Sequence, residues 1–561
     1  MILYKMKLSA TTKSVLPYIL LTMLSLAVYL RTVFFNYVYF DDNFLIIDNI
    51  RFLQNINNVF TAFKQDVFRL LHGNDIYYRP LLTVSFILDA QFSGVNPWGY
   101  HLSNIVIHLL NCFLLYKLLQ KMSYPEPSSF FVSAIFAVLP VLTQAIAWIP
   151  GRNDSLVTLF ILISLVSYLN FLEKRSVRSA VIAVLGFAGA MFTKETAVLV
   201  LFLYFAYWWI KRREDGTTEN WGIITALTAG IAVTALWYIL RGMALEEPIK
   251  LSIFDLILGM VINSPAVIQF LGKILLPFNL SPLALMQDTS FVYGIISVII
   301  CVVLVILTSK KRWYYLVFGI LWLILFMIPS FARPDKKYGV ELYEHRMYFP
   351  VIGFLIFLLE TRVGEEIKNN GSIVNIIKVV VITLLSLVTF TYSSVFSDKL
   401  PFWQAAVKGS PASPLAHRNL GVMYYFGNDF DKAEFHYRKA LELNPYEPMA
   451  HNNLGLIYSN KNMLSEAEQE FNNELRINPS YDIAHFNLGL LYYRSNRFDL
   501  AEKFWKDTLK LNPDYAEAHY DLAVMYCQAN RYDYARFHLT KAQECGYTQI
   551  SPQLVKLLAC N

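Results

Sequence analysis

The hydrophobic positions divide the chain into two parts. Long apolar runs alternate with short polar segments before residue 400, and the remainder has the character of a soluble helical domain. A helix that crosses the hydrocarbon core of a membrane needs about 20 apolar residues. We therefore predict an all-α protein with a polytopic membrane domain of about eleven helices. The predicted spans are residues 15–35, 101–120, 129–149, 155–172, 178–193, 196–210, 221–241, 291–308, 313–331, 347–361 and 373–393.

Basic clusters between these runs predict the orientation of the chain. They fall in alternate connections, which is the pattern of cytoplasmic loops. The segment 251–280 would break the alternation as one ordinary crossing, and it carries Asp255, Asn263, Pro265 and Pro277. An interfacial or re-entrant element, or two short crossings, keeps the alternation. The clusters are Lys117 and Lys121, then Lys174, Arg175 and Arg178, then Lys211, Arg212 and Arg213, then Lys310, Lys311 and Arg312, then Arg362 and Lys368.

This topology predicts a multi-pass integral membrane protein with a cytoplasmic N-terminus. The outer loop 36–99, the loop 332–346 and all residues after 394 then lie on the non-cytoplasmic side. That side is either the periplasm or exterior beyond an inner membrane, or the lumen of the endoplasmic reticulum. The first apolar run follows three lysines, as a signal sequence would, but it is long and lacks a small-x-small cleavage site. We interpret it as a retained anchor.

Composition adds little beyond the membrane assignment. Charged residues make up 16% of the chain, against about 25% in an ordinary soluble domain. The net charge of +6 comes mostly from the short basic clusters, so we predict membrane lipid and no nucleic acid as a partner. The five cysteines form no CxxC pair and no metal-ligand spacing. A disulfide among Cys527, Cys545 and Cys560 stays open.

The C-terminal part repeats at a fixed period of 34 residues. Ala-His pairs begin at Ala416, Ala450, Ala484 and Ala518, and each starts a similar unit with a Leu-Gly or Leu-Ala step, a tyrosine and a later alanine. This is the tetratricopeptide pattern, in which small residues let paired helices approach. We predict four repeats at 416–551, after a membrane domain at 1–398 and a linker at 399–415, and before a tail at 552–561. The repeated Asn and Tyr side chains suit an extended peptide or pack the helices: Asn419, Tyr424, Asn453, Tyr458, Asn487 and Tyr492.

Two adjacent carboxylates, Asp41 and Asp42, follow the first span. Their mutual repulsion in a low-dielectric site would raise the pKa of one of them. One is then a candidate general base, and the other an orienting or metal-binding partner. A helix N-cap is the structural alternative. The pattern does not decide between these interpretations.

Further polar groups stand at the outer ends of the spans. His101, Asn104 and His108 share one helical face at the start of the second span. Arg152 and Lys194 occupy very short outer hairpins, where cations are unusual. A lipid phosphate would account for them, since Arg and Lys are common phosphate ligands, and ion pairs Arg152–Asp154 and Lys194–Glu195 are the alternative. Arg346 is a further phosphate candidate.

The ordered motifs resemble the TMTC-type transmembrane and tetratricopeptide repeat proteins. That family belongs to the GT-C glycosyltransferases and is related to protein O-mannosyltransferases. The matching stretches are FDDN at 40–43, YRPL at 78–81, NPWGYHLSNIVIH at 96–108, AVLPVLTQAIAWIPGRNDSL at 137–156, TKETAV at 193–198, PFNLS at 277–281 and EHRMYFPVIG at 344–353. Relatives often have two histidines and a glutamate where this chain has Leu139, Leu142 and Gln144. If those positions contact the sugar or the acceptor, this departure affects substrate specificity.

The resemblance implies the chemistry of a membrane glycosyltransferase. A sugar, mannose in the best-known relatives, moves from a polyprenyl-phosphate carrier to a protein hydroxyl on the non-cytoplasmic face. Asp41 and Asp42 map onto the catalytic acidic residues, and the repeats would bind the polypeptide acceptor. A divalent cation is allowed but not required. The expected phosphate ligands are Arg346, Arg79, Arg152 and Lys194, and the expected sugar or acceptor contacts are Tyr78, His101, Asn104, His108, Glu344 and His345.

Two other functions remain open on the sequence. One is a non-catalytic membrane scaffold whose repeats assemble envelope or secretory proteins. The other is transfer of the sugar to a lipid or cell-wall glycan, with the repeats as a docking module. Loss of turnover in Asp41→Asn or Asp42→Asn separates the enzymes from the scaffold. Activity that survives removal of residues 411–561 identifies the glycan acceptor.

Overall fold

The computed structural model describes residues 10–68, 77–216, 219–245, 252–309, 312–332, 341–368 and 371–560. The chain is 79% helical, and the described residues form no strand beyond one isolated bridge between Leu285 and Glu341. The all-α prediction is therefore confirmed. Two compact units divide it, Met1–Ser410 and Pro411–Asn561. Lys310, Lys311 and residues 333–340 of the outer loop lie outside the described residues.

The first unit contains nineteen α-helices within the described residues. They are α1 Ala10–Tyr29, α2 Ile50–Leu53, α3 Asn58–Thr61, α4 Pro80–Ser93, α5 Pro97–Lys121, α6 Glu126–Val138, α7 Thr143–Ala147, α8 Arg152–Lys174, α9 Val177–Met191, α10 Val200–Asp215, α11 Asn220–Ala244, α12 Ile253–Asn263, α13 Ala266–Leu275, α14 Val292–Ile306, α15 Trp313–Met327, α16 Pro350–Leu359, α17 Arg362–Lys368, α18 Ser372–Ser393 and α19 Lys399–Gly409.

Each predicted span overlaps one of these helices, except 129–149, which overlaps both α6 and α7. Within the described residues, six helices are long and apolar enough to cross a membrane, or eight if each of two bent pairs counts as one span. Helices α9, α14 and α16 are apolar but shorter. The protein is therefore a multi-pass membrane protein, and the count of eleven crossings is approximate.

The two bent pairs follow from proline. Helices α6 and α7 meet at 52° around Pro140, and α12 and α13 meet at 49° around Pro265. Proline lacks the N–H that would continue the helical ladder and collides with the preceding turn. The predicted span 129–149 is thus broken, which the sequence pattern did not indicate. The segment 251–280 is likewise divided into two bent helices, a form shared by a single broken span and a re-entrant element.

The predicted outer loop 36–99 is a folded layer. It contains a π-helical turn at Asn43–Ile47, the short helices α2 and α3, and the longer α4. A small core of its own holds it together, with Leu45, Phe52, Leu82 and Phe86 buried among its members. This layer gives the first outer segment a fixed geometry.

The predicted linker at 399–415 contains a helix. In α19, Phe402, Trp403 and Ala406 are fully buried. Asp398 caps the first turn, because its carboxylate accepts a hydrogen bond from the Lys399 N–H at 2.7 Å. The boundary between the compact units falls at Ser410, just after this helix.

The second unit is an array of helix pairs. Its members are α20 Pro414–Phe426, α21 Phe430–Leu443, α22 Ala450–Asn460, α23 Leu464–Ile477, α24 Asp482–Arg494, α25 Phe498–Leu511, α26 Ala516–Gln528, α27 Tyr532–Glu544 and α28 Pro552–Cys560. An asparagine with φ between 58° and 60° closes the turn inside each pair, at 428, 462, 496 and 530. Asparagine tolerates that left-handed conformation better than most residues.

The repeated Tyr and Asn side chains mainly pack the array. Tyr458 and Tyr492 are buried, and the Tyr492 hydroxyl donates to Glu468 at 2.9 Å. The Asn487 amide donates to Asn452 of the preceding repeat at 2.8 Å. The helix-packing interpretation therefore holds for Tyr458, Asn487 and Tyr492, whereas Asn419, Tyr424 and Asn453 are half-buried.

Candidate active site

A cavity of about 660 Å³ lies in the membrane unit. The folded outer layer, the two short hairpins, the end of α11 and the turn before α16 contribute its wall. Six of the residues singled out from the sequence line it: Asp41, Tyr78, Arg79, Lys194, His345 and Arg346. Residues up to three hundred positions apart in sequence are thus brought to one site.

Asp41 and Asp42 take different positions in a tight turn. Tyr39 has φ of 57°, and the Val38 N–H donates to Asp42 Oδ2 at 3.1 Å. Asp42 is 1% exposed, whereas Asp41 is partly exposed and lines the cavity. Asp42 therefore stabilises the turn from its buried side, and Asp41 faces the cavity.

Burial raises the pKa of the Asp42 carboxyl to about 7, and the neighbouring Asp41 charge adds to this effect. The N-cap interpretation is not supported, since the Asp42 side chain makes no capping bond to the π-helical turn that follows. Its hydrogen bond runs upstream to Val38 instead.

Phe40 anchors the same turn in an aromatic cluster. Its ring stacks on Trp148 with a centroid distance of 5.6 Å and meets Trp403 edge-on, also at 5.6 Å. Phe402 and Tyr343 lie at 6.1 and 6.3 Å. The cluster fixes the turn that carries Asp41, and Phe40, Trp148 and Tyr343 also line the cavity.

Arg79 and Lys194 both enter the cavity as partners of carboxylates. Arg79 donates two hydrogen bonds to Glu195, at 2.8 and 3.2 Å. The Lys194 ammonium donates to Asp154 Oδ1 at 2.8 Å. Lys194 therefore forms an ion pair, but with Asp154 and not with the predicted Glu195, which pairs with Arg79 instead. Glu195 and Asp154 belong to the site, and the sequence indicated them only as pairing residues.

The turn at Glu344–Met347 divides its side chains between the interior and the cavity. Glu344 and Lys273 are both fully buried and form an ion pair of 2.6 Å. The Ser281 N–H and the Tyr392 hydroxyl also donate to Glu344, at 2.8 and 2.9 Å. Glu344 therefore holds the turn and does not contact the cavity, which corrects its assignment as a sugar or acceptor contact.

Gln144 supports the same turn from α7. Its Oε1 accepts the His345 N–H at 3.1 Å, and its Nε2 donates to the Pro282 carbonyl at 2.8 Å. The departure from the family pattern at this position thus has a structural role here. His345 and Arg346 are presented to the cavity by a turn that Gln144 and Lys273 hold from two sides.

Two further arginines border the cavity. Arg346 donates to the Ser330 carbonyl at 3.4 Å, and its guanidinium lies 4.7 Å from the Tyr343 ring centroid. Arg241 stands in the last turn of α11, 6.0 Å from the Trp237 ring centroid. The sequence analysis missed Arg241, although a cation at the outer end of a predicted span is a signal that could have found it.

Arg152 does not line the cavity, and its assignment as a phosphate ligand is corrected. It is fully buried, with Nη1 2.5 Å from Asp89 Oδ2. Its other nitrogens donate to Asn104 Oδ1 and to the Tyr100 carbonyl, both at 2.6 Å. A guanidinium with these contacts ties α8 to α4 and α5. The expected partner Asp154 is instead bonded to Lys194.

The polar stripe on α5 is also structural. Asn104 donates to the Ile146 carbonyl at 3.1 Å and receives Arg152. The two ring nitrogens of His108 contact the Tyr348 hydroxyl at 2.6 Å and the Ala137 carbonyl at 3.1 Å. His101 is 1% exposed, and none of the three lines the cavity. Their assignment as sugar or acceptor contacts is therefore corrected: Asn104 and His108 join helices, and His101 packs edge-on against Phe35.

The cavity also has an apolar lining. It includes Leu256 and Met260 of α12, Phe326 of α15 and Ile161 of α8. Within the described residues, no group of three or more His, Cys, Asp or Glu side chains could hold a metal ion. The site thus combines a carboxylate, several cations and an apolar wall.

Comparison with known proteins relates this geometry to a family. The family model described as dolichyl-phosphate-mannose-protein mannosyltransferase matches residues 82–243, and tetratricopeptide repeat models match 414–447, 436–469 and 486–546. The mouse protein O-mannosyl-transferase TMTC2 is 38% identical over 93 residues, and mouse TMTC1 is 39% identical over 88. Over these residues the chain is similar to the TMTC-type protein O-mannosyl-transferases.

The aligned parts of this chain and of its relatives are short. They make up 17% of this chain and 11% of TMTC2, and 16% of this chain and 9% of TMTC1. Human TMTC3 is 31% identical over 139 residues, which are 24% of this chain and 15% of that protein. A crystal structure of MamA matches 26% of this chain and 86% of its own at 20% identity, with a TM-score of only 0.24.

Proposed function

We propose that this protein is a membrane glycosyltransferase that moves a sugar, most simply mannose, from a polyprenyl-phosphate carrier to a hydroxyl of a protein acceptor. The observation that carries the proposal is the cavity, in which Asp41 faces several cations beside an apolar wall. A carboxylate, a cationic phosphate site and room for a lipid chain are the parts that such a reaction needs.

The reaction follows from these groups. Asp41 takes the proton of the acceptor hydroxyl, whose oxygen forms a bond to the anomeric carbon of the sugar. The bond between that carbon and the phosphate oxygen breaks, and the lipid phosphate leaves with the electron pair. Because the attack comes from the face opposite the leaving group, the anomeric configuration inverts.

Arg346 is the first candidate to neutralise the leaving phosphate, with Arg241 as a second. Arg79 and Lys194 line the same cavity, where they form ion pairs with Glu195 and Asp154. Counting Asp41, Asp154 and Glu195 against Arg79, Lys194, Arg241 and Arg346, the charged lining has an excess of one positive charge. A dianionic phosphomonoester leaving group suits such a lining.

The relatives support mannose and a protein acceptor, since the mouse and human proteins are named protein O-mannosyl-transferases. Tetratricopeptide repeats commonly bind peptides, which supports a role of the second unit in acceptor binding. We place the reaction on the non-cytoplasmic face because the basic clusters predict that side for the outer layer. No step above requires a divalent cation.

The test is transfer of labelled sugar from a synthetic polyprenyl-phosphate mannose to membrane protein. We expect Asp41→Asn to lower turnover about 10²- to 10⁴-fold, the usual contribution of a general base. Asp42→Asn is the matched variant, and we expect it to retain most turnover because an amide oxygen can still accept the Val38 N–H. Equal labelling in wild type and Asp41→Asn would contradict an enzyme and favour the scaffold.

A further inference from the structure

Asp154 has one carboxylate oxygen that the ion pair with Lys194 does not use. Its Oδ1 accepts from the Lys194 ammonium, but Oδ2 has no hydrogen-bond donor among the described residues. The side chain is 5% exposed and lines the cavity. A buried carboxylate oxygen without a donor is costly, and in native proteins it calls for an explanation such as a bound ligand.

His345 stands opposite this oxygen. Its Nε2 is 3.9 Å from Asp154 Oδ2, which is too long for a direct hydrogen bond. A single oxygen atom about 2.8 Å from each group would fit between them, at an angle of roughly 90°. A hydroxyl meets both requirements, because it can donate to the carboxylate and accept from the imidazole N–H.

The surroundings favour a sugar over other hydroxyl compounds. Trp148 lies 5.4 Å from the His345 ring, and Tyr343 lies at the same distance on another side. Aromatic walls with a few fixed polar groups are the usual lining of small-molecule sites. The site therefore offers flat apolar surfaces for the carbon face of a ring and one directed pair for a hydroxyl.

We propose that Asp154 Oδ2 and His345 Nε2 together hold one hydroxyl group of the transferred sugar. The inference rests on the proposed function and adds the residues that select the sugar. Lys194 then has a positioning role: it neutralises Asp154 and leaves Oδ2 directed at the ligand. Gln144 has a similar role, since it fixes the backbone of His345.

The experiment compares a sugar donor with its monodeoxy analogues in purified full-length protein. Dissociation constants and turnover are measured for polyprenyl-phosphate mannose and for each analogue that lacks one hydroxyl. A hydrogen bond to a charged group corresponds to about a 10- to 100-fold preference. We expect wild type to bind one analogue more weakly than polyprenyl-phosphate mannose by about this factor.

Variants identify the residues responsible. His345→Leu should reduce that preference to less than about threefold while the preferences at the other hydroxyls persist, and His345→Gln, which retains an N–H, should restore part of it. Asp154→Asn should reduce the preference for the same hydroxyl. Arg346→Lys is the matched control, since a phosphate ligand should affect all donors alike.

The outcomes separate the inference from the function. If His345→Leu and Asp154→Asn still transfer sugar and show the wild-type preferences among the analogues, the inference is overturned. The proposed enzymatic function would then still stand. A preference that responds to the acceptor instead of the sugar would also overturn it, because the hydroxyl would then belong to the acceptor. Failure of wild type to bind or transfer any sugar would remove the function, and the inference with it.

Discussion

Asp42 is the buried carboxyl of the turn that presents Asp41. Its pKa is about 7 in the folded protein against 3.8 for an ordinary aspartate. The folded state therefore binds more protons than the unfolded state between these values, and the free energy of unfolding falls as pH rises from about 4 to 7. The loss then stays constant at higher pH.

Asp42→Asn removes this pH-dependent loss of stability. We expect the variant to exceed wild type in melting temperature by a margin that widens between pH 5 and pH 8, because a buried charge is replaced by a neutral amide. Thermal unfolding of purified protein at a series of pH values measures it, with the more exposed Asp41→Asn as the control. A margin that does not vary with pH would mean that Asp42 does not titrate in this range.

At the residue scale, sequence motifs identified which side chains matter better than where they point. Asp41, Arg79, Lys194, His345 and Arg346 meet in one cavity, as the resemblance implied. Arg152 was misassigned because its partner Asp89 lies on α4, a helix hidden in what the pattern presented as a loop. Glu344 and His345 are neighbours in a tight turn, and a sequence cannot tell which of two such side chains faces inward.

Glycine permits a close helix contact in the membrane unit, between α15 and α16. A Cβ on Gly319 would lie 2.6 Å from the Gly353 carbonyl oxygen and 2.7 Å from the Phe357 nitrogen. Small residues let membrane helices approach in this way. We expect Gly319→Ala to separate the helices and to destabilise the protein by about 1–3 kcal/mol.

Gly242→Ala is the matched control, because a Cβ there has no atom within 4 Å among the described residues. It should be neutral or slightly stabilising, since alanine favours a helix by up to about 1 kcal/mol over glycine. The yield of folded protein and its melting temperature measure both variants. Equal behaviour of the two would contradict the close packing of α15 against α16.

Two repeats contain a histidine pair between their helices. His417 and His436 approach at 2.9 Å between Nδ1 atoms, and His519 and His538 at 2.8 Å. Nε2 of the first histidine contacts a carbonyl in each pair, so its Nδ1 accepts and the second histidine donates. Burial, and then the neighbouring His417, lower the pKa of His436 to about 4.

Acid should therefore loosen these repeats. The unfolded state binds more protons between pH 6.5 and pH 4, so the free energy of unfolding falls as pH drops through that window. His436→Phe copies Phe504, which occupies the equivalent position in the third repeat. Hydrogen exchange of the full-length protein should show α20 and α21 better protected in the variant at pH 5 and similar at pH 7.5. The same acid response in variant and wild type would contradict the role of the pair.

At the element scale, periodicity predicted the helices well and their interruptions poorly. The 34-residue period and the apolar runs correspond to observed helices, because burial and lipid contact impose them on many residues at once. The break in 129–149 depends on the single residue Pro140, and the helix α19 on local packing of Phe402 and Trp403. A feature that depends on one or two residues leaves little trace in a hydrophobic pattern that is averaged over a whole helix.

At the scale of the whole molecule, orientation is the property on which acceptor and donor access depend. The predicted topology places α17 on the cytoplasmic side and the repeats on the other, since Arg362 and Lys368 belong to one of the basic clusters. A membrane-impermeant thiol reagent can test both sides in a cysteine-free background. Asp431 and Glu366 are suitable positions, because their side chains are 93% and 42% exposed.

We expect Asp431→Cys to react with the reagent in intact cells or sealed, right-side-out vesicles, and Glu366→Cys to react only after the membrane is permeabilised. If the protein resides in an internal membrane, sealed microsomes should protect Asp431→Cys and expose Glu366→Cys. Reaction of both cysteines from one side would contradict the predicted alternation, since it would require an even number of crossings between α17 and the repeats. If both cysteines react only from the cytoplasmic side, the repeats cannot bind an acceptor on the side where the predicted topology places Asp41.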